Sequence, residues 1–148
     1  ARLGKLRAAD WLAAWARHLA LNVAAPPSVE PRTVLVTREA TVEFAPEPQA
    51  AALLADLLCL YREGWRGPVP LFPESALSLV QKERDLVAVT EAFTSERGLP
   101  GEGLDPAVRL AWRGVEPLPG PDFVACARRV VGPLAARASL VPAAGDRR

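Results

Sequence analysis

Few side chains in this 148-residue chain could do chemistry, and their spacing limits what that chemistry could be. The single histidine, His18, has no second histidine and no cysteine near it, whereas a zinc site needs three or four converging ligands. It therefore reads as a hydrogen-bonded structural residue. Cys59 and Cys126 sit inside apolar helical patterns and read as buried thiols, with a disulfide as the alternative. Glu83-Arg84-Asp85 places two acids close in sequence, but neighbouring helical positions diverge around the axis, which favours a solvated surface. Pro121-Asp122 has the composition of a helix first turn. The glycines of GLPGEG are not flanked by a strand and a phosphate-binding helix entry, and no G-x-x-x-x-G-K-[ST] motif is present, so ATP binding through a P-loop is not expected. No metal or cofactor is expected.

The elements that would position these residues are legible in the apolar periodicity. Leu12, Trp15, Ala16, Leu19 and Val23 mark one face of a helix over about Leu6 to Val23, with His18 near that face. After a Pro-rich linker, TVLVT and TVEFAP are β-branched runs separated by three residues, the pattern of a hairpin. Val34 and Val36 would share one face of its first strand, and Val42 and Phe44 one face of its second. Leu53, Leu54, Leu57, Leu58 and Tyr61 predict a helix over Pro48 to Glu63, packed towards the sheet through Leu57 and Tyr61 and stopped at a left-handed Gly64. One or two helices follow from Pro73 to about Phe93, then a short helix capped by Asp105 and started by Pro106. The last predicted helix runs through FVACARRVVGPLAARASL, with Gly132-Pro133 expected to kink or break it.

Composition narrows the class. Half of the residues are hydrophobic and 24% are charged, enough for a real core, and 148 residues suit one domain, since a core typically serves roughly 100 to 200. Net charge is +1 with bases and acids interspersed, which argues against strong non-specific DNA binding by this segment alone. No apolar stretch approaches the roughly 18 to 20 residues that span a bilayer, so no membrane partner is expected and a cytoplasmic location is the default. The chain lacks methionine and opens on ARLGKLRAADW, which fits a segment of a longer protein. The expected fold is α+β, mostly helical with one β-hairpin, over a single domain 1–148.

Between the second and third predicted helices, REGWRGPVPLFPESA presents Trp65, Leu71 and Phe72 on a proline-stiffened segment. Such a segment loses little entropy on docking and suits a protein interface; the competing reading folds these side chains over the chain's own core.

Trp15-x-x-His18-Leu19, the hairpin, Leu60-Tyr61-Arg62-Glu63-Gly64 followed by Pro68, Pro70, Phe72, Pro73 and Ser75, then RGLPGEG, Phe123 and Gly132-Pro133-Leu134, together resemble the C-terminal domain of RecC, the exodeoxyribonuclease V gamma chain. The resemblance covers nearly the whole chain, and the family domain is longer. It implies a non-catalytic subunit of the RecBCD helicase-nuclease, which unwinds and degrades double-stranded DNA ends. It also implies a degenerate PD-(D/E)XK nuclease scaffold, RecD-like and RecB-like partners, and DNA as a ligand of the full complex. An active nuclease of that class holds metal between an Asp and an acid on a hairpin, with a Lys two residues after the acid. Here Glu43-Phe44-Ala45 has the acid but Ala at the Lys position; Lys5 and Lys82 follow Leu3 and Val80; and Leu57 stands four residues before Tyr61, where RecB-type nucleases carry Gln. No catalytic residue is therefore expected. The alternatives are an active metal-dependent nuclease using Glu43 and an unrelated helical scaffold.

Overall fold

A computed structural model describes residues 7–37, 40–81, 85–95, 100–118 and 120–142, with the backbone alone for 141 and 142. The elements in chain order are α1 (Ala8–Ala24), β1 (Thr33–Val36), β2 (Ala40–Phe44), α2 (Ala50–Gly64), α3 (Pro73–Gln81), α4 (Leu86–Thr94), a 3-10 turn at Glu102–Leu104, α5 (Pro106–Ala111), α6 (Pro121–Arg137) and β3 (Ala138–Pro142). They group into two compact units, one of residues up to Cys59 together with those from Ala136 onward, the other of Leu60–Ala135. The expected α+β class, mostly helical, is what the chain adopts. Among the described residues no helix is long and apolar enough to cross a membrane.

In the first unit the hairpin acquires a third strand. β2 pairs antiparallel with β1 and with β3, giving the order β1-β2-β3. The register sets Thr33 opposite Phe44 and Leu35 opposite Val42, and because side chains alternate along a strand this face is the one that turns inward. Val42 and Phe44 are fully buried. Val34 and Val36, opposite Glu43 and Thr41, share the other face and are exposed. The last predicted helix was expected to continue to Leu140; it stops at Arg137, and Ala138–Pro142 forms β3 instead. The open edge of β2 offers those residues a hydrogen-bonded ladder that outweighs their weak helical pattern. α6 does not break at Gly132-Pro133 and runs through as one helix. Its buried stripe, Phe123, Cys126, Ala127, Val130, Val131 and Leu134, continues past the proline and offsets the missing backbone donor.

α1 begins where the Asp10 carboxylate accepts the Arg7 backbone N–H at 3.3 Å, and buries Trp11, Trp15, His18 and Leu19. Trp15, His18 and Phe44 form a ring cluster with centroids 5.4 to 5.6 Å apart. His18 is fully buried and bridges α1 to the sheet: Nε2 lies 3.0 Å from the Ala45 carbonyl and Nδ1 3.0 Å from Thr33 Oγ1. A carbonyl can only accept, so Nε2 carries the proton and Nδ1 accepts from the Thr33 hydroxyl. Burial pushes the His18 pKa below its ordinary value, partly opposed by the Ala45 carbonyl and the nearby Glu47 charge.

Glu47, between two prolines, ties three segments together. Its side chain is only 3% exposed, and Oε2 accepts from Arg137 Nε at 2.7 Å, at the point where α6 gives way to β3. Oε1 accepts the Gln49 N–H at 2.9 Å, just ahead of α2, while the Glu47 backbone N–H donates to Asn22 Oδ1 at 2.8 Å. A buried carboxylate is tolerated only when paired and hydrogen-bonded in this way.

The second unit is organised by Phe72, which is 3% exposed and meets the rings of Phe93, Trp112 and Phe123 at 4.7, 6.1 and 6.1 Å. α3 and α4 are separate helices, the second capped by Asp85, whose Oδ1 accepts the Val87 N–H at 3.2 Å. Lys5, Lys82, Glu83 and Arg84 lie outside the described residues. The expected cap at Asp105 is present, with the Ala107 N–H donating to Oδ1 at 2.7 Å. Two glycines of GLPGEG serve close approach: a Cβ on Gly101 would lie 2.1 Å from the Phe93 carbonyl oxygen, and one on Gly103 2.5 Å from the Phe93 ring; Gly98 lies outside the described residues. Gly64 is the last residue of α2 but not left-handed; among the described residues the positive-φ glycine is Gly114, at 81°. Of the two cysteines Cys126 is buried as expected, whereas Cys59 is exposed.

Two stability predictions follow from the first unit. Arg137→Ala strands the buried Glu47 carboxylate and should cost about 3 kcal/mol in chemical denaturation, while Glu47→Gln together with Arg137→Ala should recover part of that loss. For His18 the folded pKa lies below the unfolded one, so its contribution is fully present above the unfolded pKa of about 6.5 and is lost as pH falls through the lower folded value. Unfolding free energy should therefore drop on acidification below about pH 6.5, and the part of that drop due to His18 should vanish in His18→Gln.

Candidate functional site

Two places could carry function, the acid on the hairpin and the aromatic segment after α2. Glu43 lies on β2 and Ala45 one residue past its end; a two-residue spacing along extended chain puts side chains on one side, which is why a metal-bound acid and a charge-stabilising lysine would occupy such positions. Glu43 is paired instead with a guanidinium from the segment before β1: Arg32 Nη1 lies 3.3 Å from Glu43 Oε1, and Nη2 lies 3.3 Å from Glu30 Oε1. The hydrogen bond and charge of Glu30, then the charge of Glu43, hold the Arg32 guanidinium above its ordinary pKa. Ala45 contributes its carbonyl to His18 and no side-chain charge. Among the described residues no three of His, Cys, Asp and Glu converge as a metal ion would require.

The three candidate partner-binding residues separate. Trp65 is 79% exposed. It sits in the turn that extends α2, where its N–H donates to the Arg62 carbonyl at 3.3 Å and the Gly67 N–H to that of Glu63 at 3.3 Å. That turn keeps Trp65 one helical turn beyond Tyr61, and the two rings meet edge to face at 5.6 Å. Tyr61, expected to pack towards the sheet, is 64% exposed. Arg62 and Arg66 are exposed beside this pair. The far side of the helix carries Glu63, 3.9 Å from Arg129.

Of the two readings open for Phe72, docking surface or core, the core is the one it takes, at 3% exposure. Its carbonyl accepts the Ala76 N–H at 2.8 Å, so it stands at the threshold of α3, and its ring completes the aromatic cluster of the second unit. Leu71, half-buried, lines a groove of about 440 Å³ whose other walls include Val108 and Trp112. The prolines at 68, 70 and 73 thus stiffen a segment that has an outer aromatic end and an inner one. Sequence reasoning missed Tyr61 as a surface residue and missed the groove altogether, because Trp112 and Val108 approach Leu71 only in the folded unit. The single signal available for Tyr61 was its i, i+4 spacing from Trp65.

A family model described as the RecC C-terminal domain matches residues 1–84, more than half of the chain. That stretch takes in α1, the hairpin, α2, the aromatic segment and α3. No curated protein matches the chain. Membership ties the chain to the exodeoxyribonuclease V, or RecBCD-type, complex of DNA repair and leaves no room for an unrelated helical scaffold. The chain belongs to the RecC C-terminal domain family.

Proposed function

We propose that the chain is a non-catalytic assembly element of a RecBCD-type helicase-nuclease, acting in double-strand break repair and recombination in the cytoplasm. It holds RecD-like and RecB-like subunits and helps to shape the channel through which unwound DNA passes. The hairpin with α2 is the remnant of a PD-(D/E)XK-type scaffold. Ala45 stands where the lysine would be, and an arginine neutralises the acid that would otherwise bind metal.

The observation that carries the docking role is the exposure of Trp65 against Tyr61 at the end of a rigid helix. Large aromatics exposed side by side are costly on a free surface and are enriched at the centres of protein interfaces. Their edge-to-face contact and the helical turn through Gly67 hold them in place before any partner arrives, which limits the entropy lost on binding. Phe72 is buried against Phe93, Trp112 and Phe123 and forms no part of this surface.

Trp65→Ala with Tyr61→Ala should leave the melting temperature nearly unchanged, because neither ring is buried, while weakening retention of the RecD-like or RecB-like subunit of the same genome by about tenfold or more. Phe72→Ala is the contrasting variant and should cost about 3 to 5 kcal/mol of stability. Unchanged retention by the double variant would overturn the docking role assigned to this surface.

A further inference from the structure

The groove beside Leu71 differs in chemistry from the Tyr61–Trp65 surface. At about 440 Å³ it falls within the roughly 300 to 1,000 Å³ of clefts that enclose ligands. Among the described residues its lining is apolar, Leu71, Val108 and Trp112 included, except for the charged side chains of Glu102 and Asp105. Among the described residues no basic side chain lines it, and neither carboxylate has a cationic partner.

Both acids are fixed in place. Glu102 accepts the Glu74 N–H at 3.0 Å, the Ser75 N–H at 2.9 Å and the Ser75 hydroxyl at 2.8 Å, which clips the 3-10 turn to the start of α3. Asp105 caps α5 through Oδ1, and among the described residues no donor is recorded for Oδ2. A helix N-terminus carries only about half a positive charge, so each capping carboxylate remains net negative. The result is an apolar slot with an indole in one wall and two immobilised negative charges on its rim. A guanidinium or ammonium group gains from both features, since it stacks favourably on an indole and pairs with carboxylates. Phosphates are repelled by the same rim.

We propose that this groove docks a segment of a partner protein in which an apolar side chain stands beside an arginine or lysine, the apolar group entering between Leu71 and Trp112 and the cation settling against Glu102 and Asp105. The occupant is selected by charge as well as by shape. The proposal goes beyond the subunit-holding role of Trp65 and does not depend on it, because the groove has its own residues and its own ligand chemistry.

The test uses the full chain labelled with nitrogen-15 and two blocked pentapeptides, Ala-Leu-Arg-Leu-Ala and Ala-Leu-Glu-Leu-Ala. The arginine peptide should shift the amide signals of Ala107 and Val108 and the indole N–H of Trp112, and bind at least about tenfold more tightly than the glutamate peptide. Asp105→Asn with Glu102→Gln keeps an oxygen acceptor at each helix start while removing the charge, so the variant should stay folded and show affinities for the two peptides within about twofold of each other. Equal affinity of the unmodified chain for both peptides would overturn the proposal. So would shifts that fall outside the groove, the same shifts produced by a single-stranded oligonucleotide, or no shift at millimolar peptide.

Discussion

The buried Glu47 carboxylate is the constraint on which the first unit depends. A charge at 3% exposure persists only if every oxygen finds a donor, and the donors come from places far apart in sequence: Arg137 at the end of α6 and Gln49 just before α2. The Glu47 backbone reaches Asn22 on α1 as well. Satisfying that group therefore fixes where α6 ends, and β3 follows at the next residue in register with β2. His18 acts at the same corner, since the carbonyl it holds belongs to Ala45, two residues before Glu47. The sheet, α1 and the entry to α2 are thus coupled through one short stretch of chain, 44–49.

The second unit rests on a different principle, close packing about one ring. Phe72 meets three aromatic neighbours, and Phe93 in turn is approached so closely by 101–103 that two positions there admit only glycine. The loop that this packing draws in brings Glu102 to the start of α3, so one tight contact positions a carboxylate, caps a helix and builds the rim of the groove. The cost of excluding side chains at 101 and 103 is offset by that ordering. Interior glycines in a loop here reflect packing rather than phosphate binding.

Much of this was legible in the sequence. Alternating β-branched residues marked the hairpin, the leucine spacing marked α2, and Asp105-Pro106 announced its own cap, because each signal is local. What stayed hidden depends on partners distant in sequence. Ala138–Pro142 continues an apolar run that suits a helix as well as a strand, and only the open edge of β2 decides between them. Phe72 and Trp65 look alike within a proline-rich segment, yet one faces three rings and the other faces solvent. Glu47, an acid between two prolines ahead of a helix, carries no local signal that would name Arg137, ninety residues on, as its partner. The family resemblance was legible because it rests on the order of residues, and residues 1–84 carry it.

On the hairpin Glu43 is paired with Arg32, and just beyond it the Ala45 backbone carbonyl holds His18. The proposed role is that the chain holds subunits and does not cut DNA. The most direct measurement is incubation of the purified chain with end-labelled single- and double-stranded DNA in the presence of magnesium or manganese. The account predicts no cleavage, since no lysine stands where charge would develop on the attacked phosphate. Metal-dependent cleavage that disappears in Glu43→Ala would contradict it.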